Sequence, residues 1–111
     1  MPAKAWAKGG FHFWTGTFRD IITNVESNCL AYDFWRAKVQ ARVQDTVTAE
    51  LIAPLSPPHP FGAKRPSLEQ WYYEVFNQEN ATLVDIKKNP IAEILPHGVR
   101  TSEDIYDLDL L

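Results

Sequence analysis

Apolar residues are patterned differently in successive stretches of the chain. Met1 to Gly10 carries few signals. Phe11, Phe13, Trp14 and Phe18 then crowd around Gly16 with a spacing that fits no single period. From Asn28 to Asp45 there is neither proline nor glycine, which predicts a helix. Within it Leu30, Phe34, Ala37 and Ala41 share one stripe, while Tyr32, Trp35, Val39 and Val43 share the roughly opposite one. Arg36, Lys38, Gln40 and Arg42 lie between. A surface helix ordinarily shows a single apolar stripe. Two stripes predict cover on both sides, one side by a partner chain. A shorter helix is expected over Thr48 to Ile52.

The pattern then breaks. Pro54, Pro57, Pro58, Pro60 and Pro66 each fix their own φ and push the preceding residue towards extended geometry. This predicts a stiff crossing with a turn at Phe61-Gly62. The aromatic-rich stretch from Leu68 to Phe76 reads as a short helix, and Thr82 to Ile86 is β-prone. Ile91 to Leu95 and Val99 to Thr101 flank Pro96-His97-Gly98, a hairpin signal in which Gly98 is free to take positive φ. Tyr106, Leu108 and Leu110 alternate with Asp107 and Asp109. That alternation has not resolved at Leu111, so a second surface for a partner chain is expected there. The expected fold is α/β in a single partial domain over 1–111. A helical segment covers 10–53, a proline-rich turn 54–67, and a short helix with a small, mostly antiparallel sheet 68–111.

Composition narrows the function classes. With 45% apolar residues, of which aromatics are 13% of the chain, a packed core is expected rather than disorder. A net charge of −3 argues against a general nucleic-acid or anionic-membrane binder. No apolar run has the length of a membrane span, and Met1 to Gly10 lacks the apolar stretch of a secretory signal. A cytoplasmic location is the default. The one cysteine, Cys29, has no internal disulfide partner, and its position near a helix start is ordinarily that of a small buried residue. His12, His59 and His97 are too far apart in sequence for a ligand motif, so no metal site is expected. Neither G-x-G-x-x-G nor G-x-x-x-x-G-K-S/T occurs.

What remains is Lys64-Arg65, two adjacent cations between Pro60 and Pro66 and just after Gly62. The prolines restrict the backbone and the glycine permits close approach. A rigid arginine can fork onto phosphate or stabilise a developing anion, and a lysine adds a point charge. A basic dipeptide on a loop is also ordinarily just solvated, so the pattern alone leaves both readings open.

Three blocks carry a resemblance: Phe11-His12-Phe13-Trp14-Thr15-Gly16-Thr17-Phe18-Arg19-Asp20-Ile21; Pro60-Phe61-Gly62-Ala63-Lys64-Arg65-Pro66 with Tyr72-Tyr73-Glu74-Val75-Phe76-Asn77; and Asn80 to Leu111. In this order they resemble class-B flavoprotein monooxygenases of the Baeyer–Villiger type. The resemblance implies a partial piece of the family's NADP domain, with FAD and NADP(H) as cofactors and a ketone as substrate. It implies a catalytic role for Arg65, stabilising negative charge during oxygen transfer, and a cofactor-binding role for Lys64 at the 2′-phosphate of NADPH. Trp71, Tyr72 and Tyr73 are expected to pack under the turn. The family's FAD- and NADP-binding glycine motifs and its F-x-G-x-x-x-H-x-x-x-W-P fingerprint are not in this sequence. The expected chain is therefore truncated and inactive alone; the alternative is a non-catalytic remnant or an interaction module.

Overall fold

A computed structural model describes residues 2–64 and 68–110 of the chain. The order is α1 (Pro2–Lys8), α2 (His12–Gly16), α3 (Val25–Gln40), α4 (Thr46–Ile52), a 3-10 helix (Tyr73–Asn77), β1 (Ile91–Leu95), β2 (Gly98–Thr101) and β3 (Ile105–Asp107). The chain divides into two compact units, Met1–Ala81 and Thr82–Leu111. This is the expected α/β order of helices, proline-rich crossing and small antiparallel sheet.

In the first unit, α3 starts three residues earlier than its uninterrupted sequence suggested. Asn24 caps it by accepting from the N–H groups of Glu26 and Ser27. Asp45 caps α4 in the same way, accepting from Thr48 N–H. Only one of the two apolar stripes of α3 is covered within this chain. Tyr32 and Val39 are buried and Trp35 half-buried, but Leu30 is 52% exposed and Ala37 and Ala41 are open. Of the first stripe only Phe34 turns inward, stacked on Phe13 with ring centroids 5.6 Å apart. Cys29, expected to be buried, is exposed.

The aromatic cluster that had no clear period is explained by α1 and α2, two short helices whose inner residues converge. Ala5, Phe13, Ile21, Ala31, Tyr32 and Phe61 form the core, with Trp6, Trp14, Phe18, Phe34 and Trp35 packed around it. Phe61 is the far-sequence member. Its ring meets Phe13 at 5.8 Å, Trp35 at 5.9 Å and Tyr32 at 6.3 Å. Edge and tilted arrangements of this kind add to the free energy of simple burial.

The stretch expected to be helical from Leu68 becomes a 3-10 helix only at Tyr73, because Trp71 takes φ +66 and no helix can pass through it. Thr82 to Ile86 forms no strand. In the second unit β1, β2 and β3 make an antiparallel meander in that order. The hairpin falls where expected, with Leu95 paired to Gly98, but Gly98 does not have positive φ. Glycine is required there for another reason: a Cβ would run into the backbone carbonyl of Tyr106 on β3. Strand pairing in β3 stops at Asp107, so the alternation through Leu110 is not continued as sheet.

Candidate functional site: a cationic turn held at both stems

The proline-rich crossing has few backbone partners of its own, since prolines lack the N–H and extended chain makes no local ladder. Its carbonyls are met by side chains of α3 and the residues just before and after it. Tyr32 Oη donates to Pro54 O at 2.6 Å, Arg36 Nε to Ala53 O at 3.0 Å, and Gln40 Nε2 to the same carbonyl at 3.2 Å. Asn28 Nδ2 donates to Phe61 O and to Ile21 O, both at 2.8 Å, and its Oδ1 accepts from Phe61 N–H at 2.8 Å. Asn28, Tyr32, Arg36 and Gln40 follow one another at intervals of four, so they form a single polar row along the helix. The row is not apparent from the apolar stripes, which set Tyr32 on one stripe and Arg36 and Gln40 between them.

Burial raises the Tyr32 phenol above its ordinary range, which keeps it a neutral donor. Glu50 completes this edge. It accepts from Arg36 Nη2 at 2.6 Å and from Leu55 N–H at 2.6 Å. The Leu55 N–H, followed by Arg36, holds the Glu50 carboxyl below the usual range.

The turn itself begins at Phe61. Ala63 N–H donates to Pro60 O, and Gly62 sits at φ +85. The Trp14 indole lies so close to Gly62 that any Cβ would collide with it; Trp14 Nε1 is buried without a hydrogen-bond partner among the described residues. Lys64 follows, exposed and without an ion pair among the described residues. Arg65 lies outside the described residues.

On the far stem, Arg42 binds two carboxylates. Its Nε and Nη2 fork onto Glu74 at 2.6 and 2.7 Å, and Nη1 and Nη2 meet Glu69 at 2.7 and 3.2 Å. The guanidinium also lies over the Tyr73 ring, 4.9 Å from its centroid. Its two partners raise the Arg42 pKa, and Arg42 in turn holds the Glu74 carboxyl below the usual range. Glu69 Oε2 additionally accepts from Tyr72 N–H, and Asn77 joins Gln44 N–H to Arg42 O. Of the aromatics expected under the turn, Tyr73 is half-buried beneath Arg42, whereas Trp71 and Tyr72 are mostly exposed.

The residues missed from sequence are thus Asn28 and the Arg42–Glu69–Glu74 set, which fasten the two stems of the segment that carries Lys64. Among the described residues no cluster of potential metal ligands occurs, and no helix is long and apolar enough to cross a membrane.

No family model matches the chain. Curated relatives do. Cyclopentanone 1,2-monooxygenase of a Comamonas species is 49% identical over 108 residues, covering 97% of this chain and 20% of the relative. A protein named Baeyer–Villiger monooxygenase from Pseudooceanicola batsensis is 42% identical over 109 residues, 96% of this chain and 19% of the relative. Over nearly its whole length this chain is similar to one segment of these monooxygenases. A solved structure of the monooxygenase OTEMO, in complex with FAD and NADP, superposes with a TM-score of 0.90 at 42% identity, over 97% of this chain and 20% of that one. The chain therefore spans about a fifth of the length of the Baeyer–Villiger monooxygenases it matches.

The described residues fit one contact of such cofactors rather than their full embrace. Lys64 offers an exposed cation suited to a phosphate. The cavity beside the turn measures about 260 Å³ and is lined by Trp6, Phe11, Trp14, Trp35, Leu68 and Tyr73 among others. Sites that enclose drug-sized ligands start at roughly 300 Å³, and a dinucleotide is larger.

Proposed function

We propose that this chain is a segment of an FAD- and NADPH-dependent monooxygenase that inserts one oxygen atom beside a ketone, and that it contributes the cationic turn of that site. The balance of the reaction is ketone, O₂, NADPH and a proton giving ester, water and NADP⁺. The cofactors supply the oxygen-transfer and hydride chemistry. This chain's part is to place charge. Lys64 pairs with the 2′-phosphate of NADPH, and Arg65 stabilises the negative charge that develops as oxygen is transferred. A permanent cation set where charge appears in the transition state lowers that barrier more than it favours the ground state.

The observation that carries this reading is the turn itself. Phe61 is buried in the aromatic core at 9% exposure while Lys64, three residues on, stands in solvent. By itself the chain binds neither cofactor tightly and is inactive, since no glycine-rich dinucleotide loop is in its sequence.

The test is a segment exchange. This chain replaces its counterpart in the Comamonas cyclopentanone monooxygenase, and NADPH is compared with NADH before and after Lys64→Ala. The expected result is a tenfold or larger rise in KM for NADPH, about the worth of one charge-assisted phosphate contact, with NADH unaffected. An equal change for both cofactors would remove Lys64 from the phosphate.

A further inference from the structure

We propose that Asn28 and Arg42 are positioning residues for the segment that carries Lys64, an inference that rests on the monooxygenase reading given above. Neither needs to touch substrate or cofactor. Each closes one stem of the same segment. Asn28 takes the backbone of Phe61 by both its N–H and its carbonyl and ties it to Ile21 O. Arg42 ties Glu69 and Glu74 together with the 3-10 helix that follows.

The chemistry of the two clamps is suited to positioning rather than to bulk stability. An amide that both donates to and accepts from one residue fixes the orientation of that residue's backbone as well as its distance. A guanidinium forked onto a carboxylate does the same on the far stem. Both are partly buried, side chain to backbone or charge to charge, and neither adds to the aromatic core. Arg42 is moreover satisfied by two carboxylates at once, which leaves it no role as a free anion-binding cation of its own. A lost clamp therefore moves the site without emptying it, and sub-ångström to ångström misplacement is enough to slow a reaction about tenfold to a hundredfold.

The test has two parts. In the 111-residue chain, backbone amide exchange is followed by NMR for Asn28→Ala and Arg42→Lys. The first removes three hydrogen bonds, so the Phe61 and Ala63 amides should exchange about tenfold faster or more, with the Ala49 and Ala53 amides of α4 unchanged. The second keeps the charge but loses the fork, so Tyr72 and Gln78 should quicken instead. Unchanged exchange at these stems, or a uniform rise throughout residues 2–81, overturns the positioning role. Should Asn28→Ala fail to fold, Asn28→Asp of equal size replaces it, with the same local expectation at Ala63 and the same overturning result.

In the segment-exchanged enzyme, Asn28→Ala should raise KM for NADPH threefold or more. Loss of folded enzyme lowers kcat but cannot move KM. Fast local exchange with an unchanged KM would keep the clamp as architecture and overturn its part in the reaction, while the reading of the turn stands or falls with Lys64→Ala. Slow exchange would overturn the clamp and leave that reading untouched.

Discussion

Residues 2–81 and 82–110 hold their shape by different means. The first unit has a dense aromatic core and a run of side-chain-to-backbone bonds along α3. The second has almost no core. Ile91, Ile94, Ile105, Leu108 and Leu110 are all exposed, and its buried residues are Asn89, Gly98 and Thr101. There the backbone ladder of the meander is reinforced by small polar loops. Asn89 Oδ1 accepts from Ser102 and from Glu103 N–H, while Thr101 exchanges hydrogen bonds with Asp104. Three-stranded sheets reach independent stability when a face is packed. The contrast shows that a chain can fix one surface by a packed aromatic core and another by a backbone ladder with small polar side chains, and the two should respond to different substitutions.

Four experiments break or sharpen that contrast. All four tryptophans belong to the first unit, so their fluorescence reports on it alone. Phe13→Ala empties the centre of the aromatic cluster and should cost about 3–5 kcal/mol. The tryptophan signal should report unfolding while the amides of β1 to β3 keep their protection; joint loss would erase the division. Gly98→Ala should act in reverse, because the added carbon meets the Tyr106 backbone. About 3 kcal/mol should be lost from the meander, seen as missing cross-strand contacts by NMR, with tryptophan fluorescence unmoved.

Smaller effects sharpen the picture of the clamps. Arg42→Ala should destabilise the first unit by about 1–2 kcal/mol, discounted for solvent screening because Glu69 and Glu74 are partly exposed. Urea titration followed by fluorescence measures it. The smallest expected effect is that of acid. Glu74 is held low by Arg42, Glu50 by Leu55 N–H and Arg36, and Asp45 by the hydroxyl and N–H of Thr48. Depressed carboxyl pKa values give stability that is complete above the ordinary carboxylate range of about 4 and is lost as pH falls through the lower folded values. The urea midpoint of the first unit should therefore be flat above about pH 5 and decline below about pH 4. In Arg42→Ala that decline should be shallower, since the Glu74 contribution is gone.

Much of this was legible in the sequence, for identifiable reasons. The β1–β2 hairpin declared itself because Pro96-His97-Gly98 separates two β-branched runs, a local signal with a local cause. The helix α4 was expected over Thr48 to Ile52 and runs over Thr46–Ile52. The misses share another cause. The inward face of α3 is chosen by what packs on it, and the partners Trp6, Phe13 and Phe61 are distant in sequence, so Leu30 could not be told from Phe34 by period alone. Gly98 was recognised as a special position, but its reason lies across the sheet on β3. The spacing of Asn28, Tyr32, Arg36 and Gln40 is plain in the sequence. Its meaning is not, because it depends on carbonyls of a proline-rich crossing that has no ladder to join. The roles proposed for Lys64 and Arg65 rest on resemblance; their residue types alone favoured a solvated loop.

The most direct measurement of the central claim concerns Arg65. In the Comamonas enzyme carrying this segment, ester formed per NADPH consumed is compared for the unaltered segment and for Arg65→Ala. If the turn supplies the charge for oxygen transfer, the unaltered segment gives a ratio near one, and Arg65→Ala lowers ester formation a hundredfold or more, on the order of the loss of one preorganised charge at a developing anion. A variant that forms ester at the original rate would contradict the assignment of this turn to the reaction.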